Sequence, residues 1–379
     1  MALLTASDLS LDLDCFPKVS SHIQQPWDAA DLYLIESADF GKHPAIINDQ
    51  WGALTCYLHQ QKKQLIRSLY CWSDSFCSHQ GIKGNTAKLS EDLDTVPVNE
   101  ILLDKEVPTF PKNTDSIWIQ CPKSFDQLHW WLQLAKEQLG SGIPIHIAGM
   151  SKHIPVKWLK WFEANNSEYK QLPIKKKARL MAFKLGDNLP VLNALKGYQD
   201  LDGKDINALP GVFSRDHMDI GSRFFIHQLN NLDLKGTVID LGCGNGLLSL
   251  ACANNNHANS LQLILCDDSS LALVSARNNL EARNINTAHY NHTDALLNVF
   301  EHADTILCNP PFHSGNRIST AAAERMFKQS RRQLKKEGQL LVIANRHLPY
   351  IPILKKHFKK INTLASDSKF VIYQCLSPR

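Results

Sequence analysis

Between Thr237 and Asn254 an apolar run breaks into glycines at alternate positions and then resumes. TVIDL reads as a buried strand, Gly242, Gly244 and Gly246 as a tight turn, and LLSLACAN as a helix. Glycine admits backbone conformations closed to other residues, so a strand can turn here into a helix within a few residues. A chain that does this is committed to an α/β architecture. The pattern recurs downstream. Strands are expected at 237–241, 261–266, 304–308, 339–344 and 369–375, and helices at 246–254, 269–283, 320–336 and 350–359. Such alternation predicts a mostly parallel, doubly wound sheet whose ligands bind at the carboxyl ends of its strands.

The N-terminal half repeats the order in weaker form. AIINDQWGALTCYL (45–58) parallels VIDLGCGNGLLSLA (238–251), SIWIQCPKS (116–124) parallels DTILCNPPF, and SGIPIHIAGMSKHI (141–154) parallels EGQLLVIANRHL. Each echo has lost its distinctive residues: one glycine of the triplet survives as Gly52, and Cys121-Pro122 stands where the other half has NPP. Two α/β domains descended from a duplication are therefore expected, the first degenerate, with the boundary near 185–195 and domains at 1–188 and 189–379. Tyr198–Pro210 reads as a hairpin of the second domain, turning at Asp202-Gly203. A length of 379 residues suits two domains of ordinary size.

Composition excludes other classes. With 44% apolar and 21% charged residues the chain is globular rather than disordered. No apolar run approaches the ~20 residues of a membrane helix, and residues 1–10 lack the basic-then-apolar order of a secretory signal. The ten cysteines form no CxxC pair, against a zinc site of the usual spacing, and read as reduced, mostly buried thiols. The net charge of +4 diagnoses nothing unless concentrated. It is concentrated: eleven Lys/Arg lie between Arg325 and Lys360, and Lys175 to Arg179 forms a second cluster. Such runs are often only solvated helix faces, but they also suit phosphate contacts.

The chemistry lies in the second half. Position 247 is Leu, so the GxGxxG dinucleotide fingerprint is not met, and no Gly-Lys-Ser/Thr follows. Asp240, just ahead of the glycines, suits a ligand bearing positive charge and would oppose a pyrophosphate. Asp267, closing LQLILC, is placed to accept both hydroxyls of a ribose; Asp268 or Ser269 can cap the helix that follows. In TILCNPPFHS the Asn309 amide oxygen and the Pro310 carbonyl offer two acceptors to an amino group conjugated to a ring, and Phe312 offers a stacking face.

DLGCGNG, Asp267 and NPPF together resemble the S-adenosylmethionine-dependent methyltransferases of the Rossmann-like class. FSRDHMDIGSRFFIHQL (213–229), CNPPFH and VIANRHLPY narrow the resemblance to the ribosomal RNA guanine-N2-methyltransferases. PWDAADLYLI (26–35) and NDQWGAL (48–54) are similar to that group's degenerate N-terminal domain, and the NRHL wording favours the large-subunit (23S) branch over its small-subunit sister. The resemblance implies two tandem Rossmann-like methyltransferase domains and S-adenosylmethionine as cofactor. It implies that Asp240, Gly242 and Gly244 line its methionine end and that Asp267 holds its ribose. It further implies that Asp294 reaches the adenine amino group, although an ordinary helix cap explains that residue equally. Phe213, Ser214 and Asp219 would close over the cofactor, while Asn309, Pro310 and Phe312 hold the target guanine; His313 is a weaker candidate for touching RNA. The partner implied is 23S rRNA, without metal or membrane. The reduced thiols suit a cytoplasmic protein, a monomer is the plain expectation, and the first domain, having lost its glycines, is a candidate RNA-docking module. Trp130-Trp131 reads as core. The competing readings are the 16S enzyme, NPPY-type methyltransferases of adenine or glutamine, a nicotinamide-dependent dehydrogenase, and a noncatalytic RNA-binding assembly factor.

Overall fold

The structure is a computed structural model that describes residues 2–6, 9–18, 25–37, 39–61, 66–89, 108–255, 261–311 and 320–378. The chain divides into two compact units, Met1–Ala194 and Leu195–Arg379.

In the first unit β1 (Ala2–Ala6) pairs antiparallel with β2 (Leu9–Leu13). There follow α1 (Ala29–Ser37), β3 (Pro44–Ile47), α2 (Ala53–Gln61), β4 (Tyr70–Trp72) and α3 (Phe76–Thr86). After these come β5 (Ser116–Gln120), α4 (Phe125–Leu139), β6 (Pro144–Met150), α5 (Val156–Asn165), β7 (Ser167–Gln171) and β8 (Ala178–Lys184). Six strands form one sheet in the order β4-β3-β5-β6-β8-β7, parallel as far as β6 and antiparallel beyond. PAII and YCW are buried along their whole length, as strands covered on both faces must be. The edge strand SEYKQ is mostly exposed and charged, which discourages pairing with another chain. Trp130 and Trp131 are core, as expected from the apolar stripe of α4.

The second unit opens with the hairpin β9 (Lys196–Gln199) and β10 (Asp205–Ala208), turning through Gly203 at φ +73°. Next come α6 (Ile220–Leu229), β11 (Gly236–Leu241), α7 (Leu247–Asn255), β12 (Leu261–Asp267), α8 (Ser270–Glu281) and β13 (His289–His292). The unit ends with β14 (Ala303–Cys308), α9 (Ala321–Gln333), β15 (Leu334–Asn345), α10 (Tyr350–Lys355), β16 (Phe358–Ser366) and β17 (Phe370–Pro378). Its seven-stranded sheet runs β13-β12-β11-β14-β15-β17-β16. Without β13 this is the strand order of the first sheet, and the last two strands are antiparallel in both. The expected pair of α/β domains of one topology is what the chain forms.

Three local expectations differ. The helix expected to reach 336 ends at Gln333, because Leu334 already pairs with Ala303 and starts β15. The helix expected over 350–359 ends at Lys355, and Phe358 begins an edge strand paired with β17. Asp294 precedes a turn rather than a helix, so it caps none. Among the described residues no helix is long and apolar enough to cross a membrane, and no group of three or more His, Cys, Asp or Glu could hold a metal ion. The ten cysteines form no disulfide among the described residues.

Candidate active site

The second sheet reverses its strand order between β11 and β14: the chain moves outward through β12 and β13, then returns to the other side of β11. A crevice for ligands opens at the carboxyl ends of strands where such a reversal occurs. Register fixes what stands there. Leu241 is level with Cys266 and with Cys308, and Asp267 with His292. The glycine turn, Asp267, Asp294 and Asn309 therefore leave four neighbouring strands at one edge.

The turn after β11 is held from below. Gly242 N and Cys243 N both donate to Cys266 O, and Gly246 N donates to Cys243 O. Gly246 lies at φ +81°, and a Cβ there would come within 3.0 Å of Ala276 Cβ and Leu280 Cδ1 on α8. Gly244, at φ +54°, has nothing within 4 Å of the place a Cβ would take. One glycine thus lets two helices approach, and the other leaves open space.

Two carboxylates flank that space. Asp240 is buried; its Oδ2 accepts from Ser249 N (3.1 Å) and Ser249 Oγ (2.7 Å). Its Oδ1 is buried with no partner among the described residues. Asp267 Oδ2 accepts from Gly244 N and Oδ1 from Ser269 N, each at 2.9 Å. Burial pushes both carboxyls up to about 6, against the lowering effect of these donors. The charges that act most on Asp267 are those of Asp268 and Asp240, so the crevice is acidic. An orphaned, desolvated carboxylate oxygen favours a cation or a donor and repels a phosphate.

Asp294 is occupied differently from the expectation. Arg325 Nε and Nη2 reach its two carboxylate oxygens at 3.1 and 3.2 Å. A ligand amino group at this place would share the carboxylate with a guanidinium from α9. Nothing in the local sequence around Asp294 announces that partner, which lies a whole loop away.

The segment before α6 is strapped to the glycine turn. Asn279 of α8 donates to Asn245 O (2.9 Å) and Asn207 O (2.8 Å) and accepts from Asn207 N (3.0 Å). Asn245 Nδ2 in turn reaches Tyr198 Oη at 3.1 Å and Ser214 O at 3.4 Å. Ser214 lies at φ +57° and its hydroxyl donates to His217 O. Phe213 is 63% exposed. Asp219 is the N-cap of α6: its Oδ2 accepts from Ser222 N at 2.7 Å and from Ser222 Oγ at 3.2 Å. Asn309 leaves β14 half-buried and donates through Nδ2 to Ser222 Oγ at 3.1 Å; Pro310 after it is buried. Phe312 and His313 lie outside the described residues.

Sequence reasoning missed Ser222, Asn245, Asn279 and Arg325. Asn279 had a signal: the first unit has Asn85 on α3 donating to Trp51 O (2.7 Å) and Asp14 O (2.9 Å) and accepting from Asp14 N (2.8 Å). The same three bonds tie the same three elements in both units. In the first unit the chemistry is gone. Ile46, one residue before the end of β3, takes the place of Asp240, and the buried Asp49 of the turn bonds Thr55 as Asp240 bonds Ser249. Ser73 stands where Asp267 would be, its Oγ accepting from Ser75 N.

The chain is similar to known proteins along nearly its whole length. Residues 203–374 match the methyltransferase small domain family and residues 1–187 the RLMG N-terminal domain family. The ribosomal RNA large subunit methyltransferase G of Vibrio campbellii is 35% identical, over 98% of this chain and 96% of its own. That of Alcanivorax borkumensis is 32% identical, over 97% and 95%. Among solved structures, a 16S rRNA N2-guanine methyltransferase of T. thermophilus in complex with AdoMet and guanosine has the same fold. Its TM-score is 0.78 at 19% identity, over 99% of this chain and 97% of its own.

Proposed function

We propose, from the premise that this chain belongs to the ribosomal RNA large subunit methyltransferase G family, that it methylates the exocyclic N2 of a guanine in 23S rRNA. The protein is an S-adenosylmethionine-dependent rRNA methyltransferase. Its crevice suits that cofactor on two grounds. Asp240 presents a desolvated, unpartnered oxygen to a positively charged ligand, and the open space at Gly244 lets the ligand lie against the backbone. Asp240, Gly242 and Gly244 hold the methionine end and Asp267 the ribose; Asp294 takes the adenine amino group beside Arg325. Phe213, Ser214 and Asp219 belong to the segment that covers it.

The cofactor supplies a methyl group already activated by a sulfonium charge. What remains for the protein is alignment, which alone can lower a barrier by several kcal/mol. The guanine N2 lone pair is delocalised into the ring and is a poor nucleophile. The Asn309 amide oxygen and the Pro310 carbonyl accept its two hydrogens and draw the nitrogen towards tetrahedral geometry. They also stabilise the positive charge that grows on nitrogen as the new N–C bond forms and the C–S bond breaks. The proton then leaves to water. Phe312 stacks the base, which must be unpaired or flipped out to expose N2.

The observation that carries this reading is the level placement of Leu241 and Cys308, which sets the acidic glycine turn directly beside Asn309. The basic residues support an RNA partner: Lys328, Arg332, Lys336, Lys355, Lys359 and Lys360 are exposed on α9, β15, α10 and β16. The protein acts as a cytoplasmic monomer, with residues 1–188 serving as a docking domain and 189–379 as the catalytic one. Incubation with tritiated S-adenosylmethionine and separate large-subunit and small-subunit RNAs tests it. Label recovered as N2-methylguanosine in large-subunit RNA, and lost in Asn309→Ala, is expected. Label confined to small-subunit RNA would overturn the 23S assignment.

A further inference from the structure

The contact between Asn309 and Ser222 has a polarity. Ser222 Oγ lies 3.1 Å from Asn309 Nδ2 and 3.2 Å from Asp219 Oδ2. A hydroxyl carries one proton, and an ionised carboxylate can only accept. Ser222 therefore donates to Asp219, and what it turns towards Asn309 is a lone pair. Only the nitrogen end of the Asn309 amide can meet a lone pair. A flipped amide would set its oxygen against an oxygen with no proton to give. The N-cap carboxylate of α6 thus decides, through one hydroxyl, which end of Asn309 points away from the helix and towards the crevice. A target amine has hydrogens to donate, so Asn309 must show it an acceptor. The wrong flip would oppose donor to donor.

We propose that Ser222 is a positioning residue that locks the Asn309 amide with Oδ1 presented to the substrate amine; this rests on the methyl-transfer reading above. Ser222 is buried, 7% exposed, so water does not compete freely for its hydroxyl. Among the described residues Ser222 is the one partner of the Asn309 side chain. Asp219 acts one step further back, holding both the backbone N–H and the hydroxyl of Ser222.

The degenerate unit shows which part of the device is scaffold. There too the third residue after the N-cap of the first sheet-flanking helix is tied to the exit of the central strand: Gln120 Nε2 donates to Asp31 Oδ1 at 2.9 Å. Asp28 occupies the cap position of Asp219, its Oδ1 accepting from Ala30 N at 2.7 Å. The tie between helix and strand is common to both units. By register Gln120 occupies the place of Asn309, Ile119 being level with Ile47 as Cys308 is with Leu241; its longer amide meets the carboxylate of Asp31 in place of a hydroxyl. Of the two ties, only that of the second unit joins a hydroxyl of fixed polarity to an asparagine.

Ser222→Ala is expected to lower kcat about tenfold or more, with the dissociation constant for S-adenosylmethionine changed by no more than about twofold. In an Asn309→Ala background the same substitution is expected to cost almost nothing further, since both act through one group. Equal losses in the two backgrounds, or a loss that follows a fall in folded fraction, would overturn the proposal. A second measurement needs no RNA. The side-chain amide signals of Asn309 in a 1H–15N spectrum, assigned by their disappearance in Asn309→Ala, are expected to move and to exchange faster in Ser222→Ala. Unchanged signals would overturn the lock. Absence of transfer by the unaltered protein would instead count against the methyl-transfer reading, while the spectrum still decides on Ser222.

Discussion

Asp240 and Asp267 each keep their proton to higher pH in the folded chain than in an open one, 3.8 rising to about 6 through burial. A raised carboxyl pKa means that ionisation weakens the fold. The cost is absent below about pH 4, where both states are protonated, and complete above about pH 6 to 7. Together the two carboxyls cost the fold on the order of a few kcal/mol at neutral pH. A cationic ligand reverses the balance, because it prefers the ionised form. The affinity for S-adenosylmethionine is therefore expected to rise between pH 5 and 7, with protons released on binding in that window; calorimetry in buffers of different ionisation heat measures both. A flat profile would show that neither carboxyl meets the ligand. Asp240→Asn is expected to raise the melting temperature of the ligand-free protein by a few degrees at pH 7.5 and to leave it unchanged at pH 4, while weakening cofactor binding. At this scale Asp240, Asp267 and Asn309 were legible in the sequence as residue types at strand ends. Ser222 was not, because a serine three places after an N-cap looks like any other helix residue until the neighbouring strand sets Asn309 against it.

The elements around the turn depend on close approach. α7 starts immediately after Gly246, whose missing side chain lets it lie against Ala276 and Leu280 of α8. Gly246→Ala adds a methyl at 3.0 Å from both and forces φ +81° on a residue with a Cβ. A loss of about 2 kcal/mol or more is expected in chemical denaturation. Gly244→Ala, with open space around it, is expected to lose only the backbone part, about 1 kcal/mol, and to block the ligand instead. Elements that are mostly buried, such as β14 and residues 247–253 of α7, fell within a residue or two of their expected bounds. The failures came at the margins. Lys335 and Lys336 have good helix propensity and carry the expected helix to 336, but pairing with β14 draws the chain into β15 from Leu334. FKKINTLAS likewise became the outer strand β16 because β17 offered it a ladder, a partner that local sequence does not name.

On the scale of the molecule, one architecture appears twice with one set of chemical groups. Asn85 and Asn279 keep the same three hydrogen bonds in the two units. Meanwhile Ile46 and Ser73 stand in the first unit where the second has Asp240 and Asp267, and by register the longer Gln120, not Cys121, stands where it has Asn309. Packing residues persisted and ligand residues did not, as expected when a copy is kept for its shape. One S-adenosylmethionine per chain is therefore expected by calorimetric titration, and Asp267→Asn is expected to weaken that single site without uncovering another. A stoichiometry of two would contradict this account of the first unit.

The sequence by itself determined the class of fold, the repetition and the identity of the acidic glycine turn and NPP segment. Strand periodicity, glycine and proline act locally and leave their mark within a few residues. Tertiary structure alone decided which groups face one another: that Arg325 covers Asp294, that Asn279 straps the hairpin to the turn, and that Asp219 orients Asn309 through Ser222. Those pairs lie on different elements, and only the register and order of the strands bring them within hydrogen-bonding distance.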